Sequence, residues 1–387
     1  MDGKNSLSQD VKTLDNDLGA LFTSFTLKSK QLRNRVVMAP MTRGFSPGGV
    51  PGEDVAEYYR KRAAGGVGLI VTEGTWIPHP AASNDIQVPR FYGEDALAGW
   101  KKVVDGVHGE GGLIIPQLWH IGLAAKSDVS SIYDERSDMR SELVGPSAVG
   151  PDDSLRGHAL TLKEIEDIQD AYVQAALSAR TLGFDGVELH GAHGYLIDQF
   201  FWEKTNRRLD QYGGSIAARN TFAVEIIKEI RRHMGSDFFI SLRCSQWKME
   251  DYAARPWPTE GALEAFLSPL ADAGTDIFHC SQRRYWEPEF AGSDLNFAGW
   301  VKKLTGKPTI TVGSVGLDTE FLDSLLNNAQ SSSKGISDLM RRLEAAEFDL
   351  VAIGRSLIAN PDWSDIVQRG RIDQLKVFNP EMLATLD

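Results

Sequence analysis

The sequence predicts an α/β chain folded as a closed (β/α)8 (TIM) barrel. It reads as one domain over residues 1–387, with long loops at the C-terminal ends of its strands. Three observations predict it. Eight strand-like runs alternate with eight helix-like runs, which implies a parallel sheet covered by helices. Turns leading into strands are short and hold glycine, whereas connections leaving strands are long, the pattern of a barrel that keeps its chemistry at one mouth. No internal repeat and no linker divides the chain. An open doubly wound sheet is the alternative topology.

The expected strands are 35–40, 67–73, 113–119, 184–190, 238–243, 276–280, 308–313 and 349–354. The expected helices are 53–64, 94–110, 162–182, 217–234, 260–273, 297–304 and 338–346, with a last one over 362–369. Ala64-Gly65-Gly66, Gly111-Gly112, Leu182-Gly183 and Ala273-Gly274 are the short turns. Residues 20–33 form an extension expected to cover the bottom of the barrel, and the polar residues 1–19 a poorly ordered tail. Two long loops stand out. One, 120–161, has no clear period; the other, 281–295, carries Arg283, Arg284, Tyr285 and Trp286. The run 327–336 reads as a flexible surface excursion.

Composition narrows the partners. With 42% hydrophobic residues the chain can bury a large core, and its net charge of -12 argues against nucleic acid or an anionic membrane. There is no apolar h-region and no membrane-length apolar run, so a cytoplasmic protein is expected. Cys244 and Cys280 are too few for a disulfide scaffold or an all-cysteine iron–sulfur site, and are expected as buried apolar residues.

The chemistry collects after the strands. His190, His193 and Tyr195 fall within six residues of a strand end. Two imidazoles can donate to one oxygen and a phenol can deliver a proton, which suits a carbonyl compound that gains negative charge as it reacts. The other reading is polar residues satisfying a strand end. Met41-Thr42-Arg43, Gly74-Thr75, Trp119-His120, Arg243, Ser281, Ser314 and Arg355 would join them at one mouth. Glycine turns at Gly313-Ser314 and Gly354-Arg355 follow the seventh and eighth strands, where barrels form phosphate sites; ordinary helix capping is the alternative. Pro40 closes the first strand at no cost in ladder bonds. Gln117 inside an apolar strand needs a partner with both a donor and an acceptor, either backbone or an amide-bearing ring. A buried Arg243 needs an anion, on a ligand or on Glu188 or Asp185.

Ordered motifs carry a family resemblance along 22–369. They are Asn34-Arg35-Val-Val-Met-Ala-Pro40-Met41-Thr42-Arg43, Gly65-Gly-Val-Gly-Leu-Ile-Val-Thr72-Glu73-Gly74, Gln117-Leu-Trp119-His120-Ile-Gly, His190-Gly-Ala-His193-Gly-Tyr195-Leu, Tyr212-Gly-Gly-Ser215 and Gly354-Arg355-Ser-Leu-Ile-Ala-Asn360-Pro361. The chain resembles the Old Yellow Enzyme family of flavin-dependent ene-reductases, which share the eight-stranded barrel. The resemblance implies FMN, its phosphate at Gly313, Ser314, Gly354 and Arg355. The isoalloxazine would lie against Pro40 and Met41, with Thr42 and Gly74 along one edge, Gln117 on the pyrimidine amide and Arg243 at N1/O2. It implies NADH or NADPH as hydride donor and an electron-poor alkene or nitro compound as substrate. His190 and His193 would hold the substrate oxygen, Trp119 shape the pocket and Tyr195 protonate the α-carbon. With two cysteines the chain falls outside the branch that carries a four-Cys iron–sulfur cluster. Two rivals stand beside this: a metal-dependent hydrolase or lyase with His190 and His193 as ligands, and a non-catalytic flavin-binding protein.

Overall fold

The computed structural model describes residues 18–124, 142–315 and 336–387. Eight parallel strands close on themselves: β1 Val36–Met38, β2 Leu69–Trp76, β3 Leu113–Trp119, β4 Gly186–His193, β5 Phe239–Lys248, β6 Ile277–Ser281, β7 Thr309–Val312 and β8 Leu350–Ile353. Each strand pairs with its sequence neighbours, and β8 pairs with β1 to complete the barrel. The open doubly wound alternative is thereby excluded. Around it run α1 Glu53–Ala64, α2 Glu94–Gly109, α3 Leu162–Leu182, α4 Ile216–Met234, α5 Glu260–Ala273, α6 Phe297–Thr305, α7 Ile336–Glu344 and α8 Trp363–Gln368. The last is shorter than the 362–369 expected.

Local chemistry explains the helix ends. Thr161 and Glu164 form a reciprocal capping box that opens α3, and Gly183, in the left-handed region at φ 92°, closes it. Thr259 and Asn296 accept the first free amides of α5 and α6. Cys244 and Cys280 are fully buried, in register on adjacent strands.

The bottom of the barrel is covered as expected. Phe25–Leu27 and Lys30–Leu32 pair as a hairpin, and Leu27 and Leu32 pack into an apolar plug with Val37, Leu69, Ile115, Phe239, Ile277, Ile310 and Leu350. Lys28 on its turn and Lys30 at the start of its second strand bind Asp276 and Asp185, each at 2.8 Å. Asp185 also accepts from Ile114 N and meets His108. It therefore sits at the closed end, which removes it as a partner for Arg243.

Three strands run farther than their apolar runs suggest, and this moves the site. β2 continues to Trp76, β4 to His193 and β5 to Lys248. His190 and His193 thus lie on β4 itself, not in a turn beyond it. The reason is tertiary: β4 and β5 keep pairing past Gly191 through a bulge, with His193 opposite Lys248. The 327–336 excursion falls on residues 316–335, which lie outside the described residues except at its end, and of the N-terminal tail only Leu18 and Gly19 are described. Among the described residues no helix is long and apolar enough to cross a membrane.

Candidate active site

Strand alternation and register build a polar layer inside the mouth. Gln117, Glu188 and Ser241 stand level on β3, β4 and β5, while His190, Arg243 and His279 stand level on β4, β5 and β6. Glu188 is fully buried and accepts from Gln117 Nε2 at 2.8 Å, Ser241 Oγ at 2.8 Å and His279 Nδ1 at 2.9 Å. Burial alone would push its carboxyl up. His279, Arg243 and these hydrogen bonds outweigh that and hold it below the usual carboxylate range. Gln117 thereby commits one amide hydrogen to protein, not to a ligand.

Above this anion sit polar atoms that no described residue satisfies. Arg243 Nε, His190 Nδ1, Trp119 Nε1 and His279 Nε2 are buried without a hydrogen-bond partner. Leaving such groups unpaired costs on the order of 1–3 kcal/mol each, more for a charge. Glu188, the structural alternative for Arg243, acts on it through space only; among the described residues no ion pair joins them. A planar ring with acceptor atoms at its edge fits this arrangement.

His190, His193 and Tyr195 do come together. The rings of His190 and Tyr195 lie 4.8 Å apart and those of His190 and His193 5.2 Å, both edge-on. Trp119 stands edge-on to Tyr195 at 5.2 Å. Burial first, then the Arg243 charge, drives both imidazoles well below the ordinary histidine range, so both are neutral. Burial pushes the Tyr195 phenol up to about 12. Its hydroxyl meets only the Met249 thioether, at 3.9 Å, among the described residues. The proton is thus held by oxygen and faces no strong acceptor. His190 and His193 find no third His, Cys, Asp or Glu to make a metal-holding group among the described residues.

His193 sits at φ 67° and Gly194 at φ 88°, a left-handed pair that tertiary contacts must hold. His193 N donates to Ser245 Oγ at 3.0 Å, and its carbonyl accepts from Met249 N. Gly194 N donates to Asp198 at 2.7 Å, and its carbonyl accepts from Gln199 Nε2 at 2.7 Å. Asp198 is itself locked by Lys248 Nζ at 2.6 Å, both side chains fully buried. The His193 ring stacks on Trp247 at 4.4 Å and shares a 2.7 Å hydrogen bond between Nε2 and Ser281 Oγ.

The remaining expected residues line the same mouth unevenly. Gly74 stands beside Trp119, whose ring would lie 3.3 Å from a Cβ there. Met41 packs against Gly354, its Sδ 3.3 Å from a would-be Cβ. Pro40 is half-buried and Thr42 exposed. Gly313 has φ 150°, and a Cβ would come within 2.4 Å of the Gln282 carbonyl, so only glycine fits. Ser314, at φ 51°, donates Oγ to the Arg283 carbonyl at 3.0 Å. Arg355 is buried, and burial lowers its guanidinium to about 10, so an anion there would be welcome.

Arg43 does not face the mouth. It is buried on Tyr58 and donates to the carbonyls of Met382, Leu383 and Thr385, clamping the C-terminal segment. His120 is structural, bonded to His79 and Gly122 N. Tyr285 and Trp286 pack toward α7, where Arg342 donates to the Trp286 carbonyl; Arg284 donates to Glu287, and the Arg283 guanidinium lies over Tyr252. Trp247, Met249, Ser281 as the His193 partner, and the Asp198–Lys248 pair escaped the sequence reading. Only long-range pairing brings them in, and the only local hint was an acidic Glu188 in an apolar strand.

Comparison with known proteins points the same way. The family model described as "NADH:flavin oxidoreductase / NADH oxidase family" matches residues 20–374. The chain is similar to 12-oxophytodienoate reductase 7 of Oryza sativa subsp. japonica, 33% identical over 370 residues, covering 91% of this chain and 88% of that one. Among solved structures it is similar to morphinone reductase in complex with tetrahydroNAD, with a TM-score of 0.75, 30% identity, and 94% and 93% of the two chains covered. It is also similar to Old Yellow Enzyme from Pichia sp. AKU4542, with a TM-score of 0.74, 25% identity, and 94% and 90% covered.

Proposed function

The chain belongs to the NADH:flavin oxidoreductase / NADH oxidase family, and on that premise we propose that it reduces electron-poor alkenes with Tyr195 as proton donor. It is an NAD(P)H-dependent flavin oxidoreductase, and its cofactor is FMN. The observation that carries the finer reading is the row of buried polar atoms that have no partner among the described residues, beside a phenol that meets no strong acceptor among them.

When bound, FMN would supply the hydride chemistry that links a nicotinamide donor to the β-carbon of an α,β-unsaturated carbonyl or nitro compound. The chain's residues do the rest. Arg243 would hold a fixed cation toward the flavin, favouring the negative charge that reduction builds, and the part of the Gln117 amide not given to Glu188 would be available to the ring. Pro40, Met41, Thr42 and Gly74 border the ring. Gly313, Gly354 and Arg355 take the phosphate. Ser314 adds its backbone N–H there, since its hydroxyl is engaged with Arg283. His190 and His193 donate to the substrate oxygen, and Tyr195 protonates the α-carbon. Trp119 walls the pocket behind Tyr195.

The first test is colour. The purified protein releases FMN on denaturation, bleaches anaerobically with NAD(P)H and regains its spectrum with cyclohexenone. Bleaching without recolouring by the enone removes the alkene from the reading. A protein that takes up no FMN removes the assignment of the site.

The proton inventory predicts a pH profile. Both histidine pKa values are lowered, so the imidazoles protonate only below the usual range. The Tyr195 pKa is raised, so its proton is lost only toward about 12. The kcat/KM for an enone with pre-reduced enzyme therefore stays flat between about pH 6 and about pH 9. An acid limb inside that window, in anaerobic stopped-flow reoxidation, would exclude neutral histidine donors, and an alkaline one would exclude a Tyr195 proton held to about 12.

A further inference from the structure

Beside the catalytic histidines lies a second cavity of about 310 Å³, between the ends of β5 and β6. It falls at the lower end of the range of ligand clefts and suits a nucleoside, not a whole dinucleotide. Trp247, Tyr252, Arg283, Ser281, Gln246 and Glu289 are among its walls. One wall is continuous with the site just described. The His193 ring stacks on Trp247 at 4.4 Å, Trp247 lies 5.7 Å from Tyr252, and the Arg283 guanidinium lies over Tyr252 at 3.7 Å. Flat groups thus run outward from the hydride site in one ladder. The opposite wall holds a fixed carboxyl. Gln246 is clamped in both directions to the Trp257 backbone, and it also donates to Glu289 Oε1 at 3.0 Å.

We propose that this cavity binds the adenosine end of the nicotinamide donor, with the adenine on the Tyr252–Arg283 face and Glu289 accepting from the ribose hydroxyls. The inference rests on the oxidoreductase reading and adds a donor preference. An ionised carboxylate accepts from a vicinal diol but repels a 2′-phosphate; Arg255 lines the same cavity and its charge acts on Glu289, yet the carboxylate is the group that Gln246 holds in place, so the donor is NADH. Arg283 on its aromatic ring offers both a stacking plane and a cation for the pyrophosphate. On a protein of net charge -12, such a local cation is what an anionic donor needs. The alternative occupant, a bulky alkene, would use the aromatic wall but has no call on the carboxyl.

The test is anaerobic bleaching of the FMN holoenzyme at about pH 8, above the value of about 7 to which burial raises Glu289. The donors are NADH, NADPH and reduced nicotinamide mononucleotide, which lacks the adenosine. NADH is expected to half-saturate at a concentration at least about tenfold below either of the others. Glu289→Gln narrows the NADH/NADPH ratio, and Tyr252→Ala narrows the advantage of NADH over the mononucleotide. Calorimetric titration of ADP-ribose into oxidised enzyme gives a second readout, weakened by Tyr252→Ala.

The inference is overturned if the mononucleotide performs as well as NADH or if Glu289→Gln leaves the ratio unchanged. It is also overturned if the variants act on cyclohexenone reoxidation of dithionite-reduced enzyme to the same extent. If dithionite bleaches the flavin but no nicotinamide does, the oxidoreductase reading fails first. The visible FMN spectrum of each variant reports that the barrel is intact.

Discussion

Replacing Tyr195 with Phe slows alkene reduction by about 10²–10⁴-fold while FMN reduction by NAD(P)H is nearly untouched, the range expected when a positioned acid is removed. The hydroxyl is the only group lost. Its sole protein contact among the described residues is the weak one to Met249, so the barrel has no reason to rearrange. The edge-on packing of the ring with Trp119 and His190 is kept by Phe. Donor oxidation needs no proton from this residue, and the two half-reactions, followed separately by stopped flow, should part company. Equal slowing of both would reduce Tyr195 to a wall of the pocket, and no slowing of either would favour the non-catalytic rival.

The second large effect lies one layer away. Lys248→Met destabilises the protein by about 3–5 kcal/mol, because it strands the Asp198 carboxylate, fully buried, without its counter-charge. Burial already works against both charges, raising the Asp198 carboxyl and lowering the Lys248 ammonium. The pair endures because each partner has further bonds: Lys248 to the Ser245 carbonyl at 2.8 Å, Asp198 to Gly194 N. Trp202 and Trp257 lie near the ammonium, at 6.0 and 5.5 Å. The double variant Lys248→Met/Asp198→Asn removes both charges yet keeps an acceptor for Gly194. It should recover most of the loss in urea unfolding, and with it the left-handed His193–Gly194 turn that aims the histidine. If the double variant is as unstable as the single one, the cost comes from lost packing and not from a stranded charge.

Much of this was legible in the chain. The alternation of runs predicted the barrel, and α1, α3, α5 and β3 have the bounds the apolar pattern and caps imply. The motifs also named Gln117, His190, His193, Tyr195, Arg243, Gly313 and Arg355, of which His190, His193 and Tyr195 stand ring to ring with Arg243 level with His190. A strand that faces a core needs apolar residues at fixed spacing, and a left-handed turn at a crowded position needs glycine, so such features are written locally.

What the chain alone withheld is what depends on neighbours far along it. Pairing with β5 drew β4 onward past His190 and put both histidines on a strand. Arg43 reads as a mouth residue, yet it turns away because the C-terminal carbonyls of Met382, Leu383 and Thr385 meet it. Asp185 and Glu188 are equal candidates to partner Arg243 in sequence. The fold sends one to the floor of the barrel, beneath Lys30, and the other under the guanidinium. Composition and periodicity determined which elements form and which residue types reach the mouth. Only closure of the sheet decided which buried charges find partners, since the cost of an unpaired group depends on what the register sets beside it.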